Sequence, residues 1–281
     1  MDTKNRPPVL LVDSSKEFQT EAAFISWQPV QLSAGTKRHW RIGELDLHVK
    51  TAGNEWLVAT CLSDVEDDSE LGGGTSREMD WQRVLLKREE DTCLLVPRMP
   101  DRSVVVRPEA PITLCAGSTA VFYVTIPVTV QVTAGPDKTV VGEYVSSRLS
   151  NTWFGEPTDG ELCYSLRTRA RRAFVPGDVA EHRVLCPIQV HNGSSEELAF
   201  NRLCVRTANL WTFLGEGQLW TSAVDVTFRG AEQVSEVKVR TGPPQQAAGA
   251  PILAQPRAPE PDGMFRRSFA SIGSHIRFGA L

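Results

Sequence analysis

The sequence predicts an all-β protein: an antiparallel β-sandwich, immunoglobulin-like in character, with a flexible linker and a short C-terminal amphipathic segment. Three observations predict it. Apolar and polar residues alternate with a period of two, Gly/Pro/Asn turns recur between the alternating runs, and helical periodicity is scarce before the tail. Short strands punctuated this way build sandwiches or barrels, whereas a parallel sheet needs helices between its strands.

The chain has 281 residues, 41% of them hydrophobic, enough for a sizeable core, and a formal net charge of −4 that argues against a nucleic-acid surface. MDTKNRPPVLLVDSSKEF shows no secretory h-region, and no run approaches the ~18 apolar residues of a membrane helix. A cytoplasmic protein is expected. Its six cysteines, at 61, 93, 115, 163, 186 and 204, have no CxxC or Cys/His spacing, so reduced thiols packed as small apolar side chains are expected, with no metal site. Asn192-Gly193-Ser194 matches a glycosylation sequon, idle without secretion.

The elements follow in order. In ELDLHVK, Leu45, Leu47 and Val49 point one way and Glu44, Asp46, His48 and Lys50 the other; TAGN then turns the chain into EWLVAT, a hairpin over 44–60 with Trp56 in its core. Residues 62–80 are acidic, carry three consecutive glycines and read as a surface loop. Strands resume at 93–97, 103–108 and 111–117. In AVFYVTIPVTVQV, Pro127 marks a bulge or a break between strands. HRVLCPIQV is a strand followed by a turn at Asn192-Gly193, and LWTSAVDVTF and SEVKVRT add alternating segments. Trp211, Phe213 and Trp220 read as a sandwich centre in preference to a stacking platform. A β-rich region is expected over 1–104 and a β-sandwich over 105–241.

Residues 242–263, rich in Pro, Ala, Gly and Gln, read as an extended linker. In the segment 264–281, Phe265, Phe269, Ile272 and Ile276 fall at helical spacing, with Arg266 and Arg267 among the polar positions.

NTWFGEPTDGELCYSLRTRARR, at 151–172, joins strong turn chemistry to a charged strand. Alternation puts Leu162, Tyr164, Leu166, Thr168 and Ala170 on the core face and Cys163, Ser165, Arg167, Arg169 and Arg171 on the other. The three arginines form a ladder with Cα atoms roughly 6.5–7 Å apart. Such a ladder offers forked donors to phosphate or carboxylate; it also protects an edge strand and pairs with acidic side chains of its own chain. Together with PITLCAGSTAVFYVTIPVTVQV, this stretch resembles the family catalogued as domain of unknown function number 432, through Trp153, Gly155, Pro157, Gly160 and Cys163. The resemblance covers about residues 40–240, most specifically 111–172, and leaves the proline-rich linker outside. It implies an all-β protein and supplies no activity, cofactor or catalytic residue.

Nucleotide loops, a nucleophile elbow and an HExxH helix are missing from the sequence, so no cofactor and no catalytic set are expected. His182, His191, Cys186 and Cys204 do not share one strand face, which argues against a metal site built from them. The leading expectation is a non-enzymatic interaction module contacting a protein partner or an anionic membrane through Phe265, Arg266, Arg267, Phe269, Ile272 and Ile276. The alternative is a small-anion binder, or a weakly signposted enzyme, using Arg167, Arg169 and Arg171.

Overall fold

A computed structural model describes residues 26–63 apart from 36, 80–230 apart from 176, 235–258, 264–266 and 269–270. The expected acidic loop therefore lies, over 64–79, outside the described residues.

Strands are 57% of the described residues; the two described helices are single 3-10 turns at Thr207–Asn209 and Gln245–Ala247. No described helix is long and apolar enough to cross a membrane. Lys37–Ile42, Leu45–Ala52, Glu55–Leu62 and Gln82–Leu85 form an antiparallel meander in chain order. Leu45, Leu47, Val49 and Trp56 are buried on its inner face, as the period of two predicts. A second sheet orders Val30–Gln31, Thr92–Arg98, Thr129–Ala134 and Thr139–Val145. The third runs Ser150–Phe154, Glu161–Ala170, Val104–Pro108, Arg202–Val205 and Phe269–Ala270.

The largest sheet has Arg183–Asn192 at its centre, flanked by Thr119–Pro127, Gln218–Thr221 and Val224–Phe228. Among the described strands antiparallel pairs dominate, and three pairings are parallel. Each parallel pair joins strands whose connecting chain leaves the sheet instead of turning back in a hairpin. Pro127 ends one strand, and after Val128 the chain enters a different sheet at Thr129. That is the break the proline announced.

One cluster of buried side chains extends from Trp27 to Val239 through Met99, Val104 and Val106, so the expected boundary near residue 104 falls inside a shared core. Phe213 and Trp220 are cross-strand partners, both buried, in a smaller cluster with Leu185 and Ala247; Trp211 packs against it. Cys93, Cys163, Cys186 and Cys204 are buried, while Cys61 and Cys115 are exposed.

The linker expectation changes over 242–258. This segment is extended, yet it is laid on the body: Ile252–Ala254 pairs with Thr212–Gly215, and Ala247 and Ala254 are buried. Arg257 pairs with Glu143 and donates to the Met99 carbonyl at 2.5 Å and to Thr129 Oγ1 at 2.9 Å. An open strand edge and a half-buried ion pair capture a chain that composition alone leaves free.

The tail also differs from its helical spacing. Phe265 and Arg266 belong to the strand Met264–Arg266, paired with Ser235–Val239, and Phe269 lies in a strand paired with Leu203. Its ring sits 4.9 Å from that of Phe200 and 6.0 Å from that of Phe228. A short isolated helix is marginal in water, whereas sheet edges offer unpaired backbone groups. Arg267, Ile272 and Ile276 lie outside the described residues.

Candidate anion-binding site

The strand Glu161–Ala170 emerges from the GEPTDG turn, where Gly155 has φ +110° and a Cβ would stand 2.8 Å from Gly160 Cα. Glycine is required at that position. The strand keeps its period: Tyr164, Leu166 and Ala170 pack toward the main core, and Arg167 and Arg169 are exposed on the other face. Two positions depart from the alternation read in the sequence. Leu162 is 45% exposed because it pairs with the equally exposed Trp153 near the hairpin tip, where the sheet projects past its cover. Cys163 is fully buried because this part of the outer face is covered by a cluster of Val105, Phe154 and Cys204.

The neighbouring strand, Val104–Pro108, runs parallel and sets Arg107 directly opposite Arg169. Arg107, Arg167 and Arg169 are exposed, and none makes a side-chain hydrogen bond or ion pair with another described residue. Like charges directly opposite on a sheet repel. Arg171 lies one residue past the strand; its backbone bonds Tyr123 in both directions, at 2.8 and 3.0 Å, and its guanidinium stands 3.5 Å from Glu109. The ladder thus divides, with Arg167 and Arg169 on the sheet face and Arg171 at a seam between sheets.

At that seam opens a cleft of about 300 Å³, lined by Arg169, Arg171, Arg183, Tyr123, Phe174 and Asp178 among others. The Tyr123 and Phe174 rings form one wall, 4.8 Å between centroids. Burial lowers the pKa of Arg183, and the Glu44 carboxylate opposes that shift. Three arginines and one carboxylate, Asp178, line the cleft, with Glu109 and Glu44 acting on Arg171 and Arg183 from outside its lining, and partial desolvation strengthens any ion pair formed there. Sequence reasoning missed Arg107 and Arg183. Arg107 lies 60 positions before Arg167 in the sequence, and only strand pairing makes it a neighbour of Arg169.

Beneath the arginines, on the same sheet face, lies a second group. Cys163 Sγ and Cys204 Sγ are 3.9 Å apart, and Glu161 completes a set whose ligand atoms all lie within 4.8 Å of one another. Arg206, 8% exposed, is 2.7 Å from Glu161 Oε1 and donates to Cys204 Sγ. The hydrogen bond with Cys204 holds the Cys163 thiol below its ordinary pKa, while burial pushes Cys204 well above it.

A family profile described as protein of unknown function (DUF432) matches residues 26–273. The chain belongs to the DUF432 family. The match extends past the 40–240 expected from the resemblance and takes in residues 242–263, which agrees with the described part, 242–258, being laid on the DUF432 body. No curated protein and no solved structure matches the chain. The DUF432 description names no activity, so the chemistry of the site rests on its geometry.

Proposed function

We propose that this DUF432 protein is a cytoplasmic, non-enzymatic binding module for a small ligand bearing a phosphate or carboxylate group. Arg169, Arg171 and Arg183 hold the anion, and Tyr123 and Phe174 take the apolar part of the ligand. The observation that carries this reading is Arg169: it has no acidic partner among the described residues, faces Arg107 across the sheet and lines the aromatic-walled cleft. Forked guanidinium donors match phosphate and carboxylate oxygens, and the aromatic wall supplies apolar area.

The test is thermal unfolding of the full chain at low salt with millimolar phenyl phosphate, inorganic phosphate or sodium chloride. Phenyl phosphate should raise Tm most, inorganic phosphate less and chloride least. Arg169→Gln combined with Arg183→Gln should abolish the difference between phosphates and chloride. An equal response to all three salts, or an unchanged phosphate response in the double variant, rejects the site.

The reading as an interaction module, with the tail contacting a protein partner or an anionic membrane, is second. It draws on the shortness of the tail strands, since three-residue and two-residue pairings exchange readily with an edge supplied in trans. Against it stands Phe269, packed between Phe200 and Phe228 of its own chain. Deleting 264–281 should leave liposome and partner binding unchanged if the tail serves its own fold.

A further inference from the structure

The outer face of the third sheet holds a group that the anion-binding reading does not use. Glu161 and Cys163 come from one strand of that sheet and Cys204 from another, with the Val105 strand between them. Two strand spacings amount to about 9–10 Å in a flat sheet, beyond the ~4.4–6.8 Å Cα window of a disulfide. The two thiols nevertheless converge over Val105.

Their separation has a chemical meaning. Two thiolates each ~2.3 Å from a tetrahedral Zn²⁺ stand about 3.8 Å apart, close to the 3.9 Å between Cys163 Sγ and Cys204 Sγ. Glu161 adds an oxygen within 4.8 Å of both sulfurs. One carboxylate oxygen accepts from Arg206 and the other from Ser103 Oγ at 3.3 Å, and an ionised carboxylate keeps lone pairs beyond those. The charges also close: two thiolates and one carboxylate are offset by a divalent cation and the buried Arg206 guanidinium. The Glu161 side chain, 33% exposed, puts the third ligand at the solvent edge of the group.

The geometry points to a binding site for a thiophilic divalent metal of the zinc class, formed by Glu161, Cys163 and Cys204, with Arg206 as the charge-balancing outer partner. Three protein ligands leave the fourth tetrahedral position to solvent or to a ligand. Arg206 orients Cys204 and Glu161 as outer hydrogen-bond partners of metal ligands do.

Cobalt(II) tests the site in the full-length chain, stripped of metal and kept reduced. One equivalent of Co²⁺ should produce a thiolate-to-cobalt charge-transfer band and the intense visible bands of tetrahedral cobalt, and Zn²⁺ should bleach both. The Cys61→Ser/Cys115→Ser variant should keep the spectrum. Cys163→Ser and Cys204→Ser should each weaken binding by more than about 100-fold, the upper end for losing a mere outer partner. Glu161→Gln, at a partly exposed position, should retain the charge-transfer band while shifting the visible bands and lowering affinity. A wild-type spectrum without the charge-transfer band overturns the proposal whatever the variants do. So does a band that survives in Cys163→Ser and Cys204→Ser and vanishes in Cys61→Ser/Cys115→Ser.

Discussion

Arg107 and Arg169 stand directly opposite each other on parallel neighbouring strands, both exposed, with no acidic partner for either among the described residues. A sheet that places two cations in register carries a repulsion that an anion relieves. Arg169→Gln should therefore stabilise the ligand-free protein at low salt by about 0.2–1 kcal/mol, the range for such cross-strand pairs. Urea titration at low and high salt checks this, because screening should shrink the gain. The same change should weaken phosphate binding, so stability and binding move in opposite directions.

Asn192 has a structural task that its sequon hides. It is fully buried; its amide donates to the Leu114 carbonyl at 2.9 Å and the Glu196 carbonyl at 2.7 Å, and its Oδ1 accepts from Ser194 N and Oγ. Asn192→Ala removes the amide donor to the Leu114 carbonyl and the acceptor of Ser194 N–H, while Ser194 Oγ still reaches the Glu196 carbonyl at 3.1 Å, and should cost about 2–4 kcal/mol, measured by urea unfolding. Asn192→Asp should be no better, since it sets a carboxylate against both carbonyls.

Gly43 turns the first hairpin with φ +64°, and a Cβ there would lie 2.7 Å from both the His182 ring and the Ser146 carbonyl oxygen. Left-handed backbone and close approach act together. Gly43→Ala should destabilise the chain by about 2–4 kcal/mol, read from the urea midpoint at constant m-value.

His182 and His48 give the fold an acid limit. Burial, then Arg183, lowers the pKa of His182 to about 4 against the opposing Glu44; burial, then Lys37 and His39, lowers that of His48 to about 4 against Asp46. Each ring is held neutral in the folded state, while the unfolded chain titrates near the ordinary 6.5. The unfolded state thus binds more protons between those values. Stability from these groups is full above about pH 6.5 and is lost as pH falls toward 4, with unfolding taking up as many as about two protons. Tm measured from pH 7 to 4.5 should fall, and the fall should be shallower in His182→Gln/His48→Gln.

The strands of the first hairpin were legible because one face of each is buried and the other wet, and a period of two then appears residue by residue in Leu45, Leu47 and Val49. Turn chemistry was equally local: Gly155 and Pro127 stand where a turn and a break occur. The Arg167–Arg169 face followed from the same alternation. Leu162 and Cys163 escaped it because burial there depends on what covers the outer face at each point along the strand, which is not written in the strand itself.

Local order along the chain settles which residues alternate, where it turns and which charges share a strand. It does not settle which strands meet. Pairing in this protein is largely non-local: Arg107 reaches Arg169, Cys163 reaches Cys204, and Phe269 returns to Leu203. Sheet edges and core faces choose their partners by complementary shape and by unsatisfied backbone groups, and those exist only once the chain has folded. The tail's apolar residues could be counted in the sequence. Whether Phe265 and Phe269 joined a helix or closed two sheet edges was decided by the edges that awaited them.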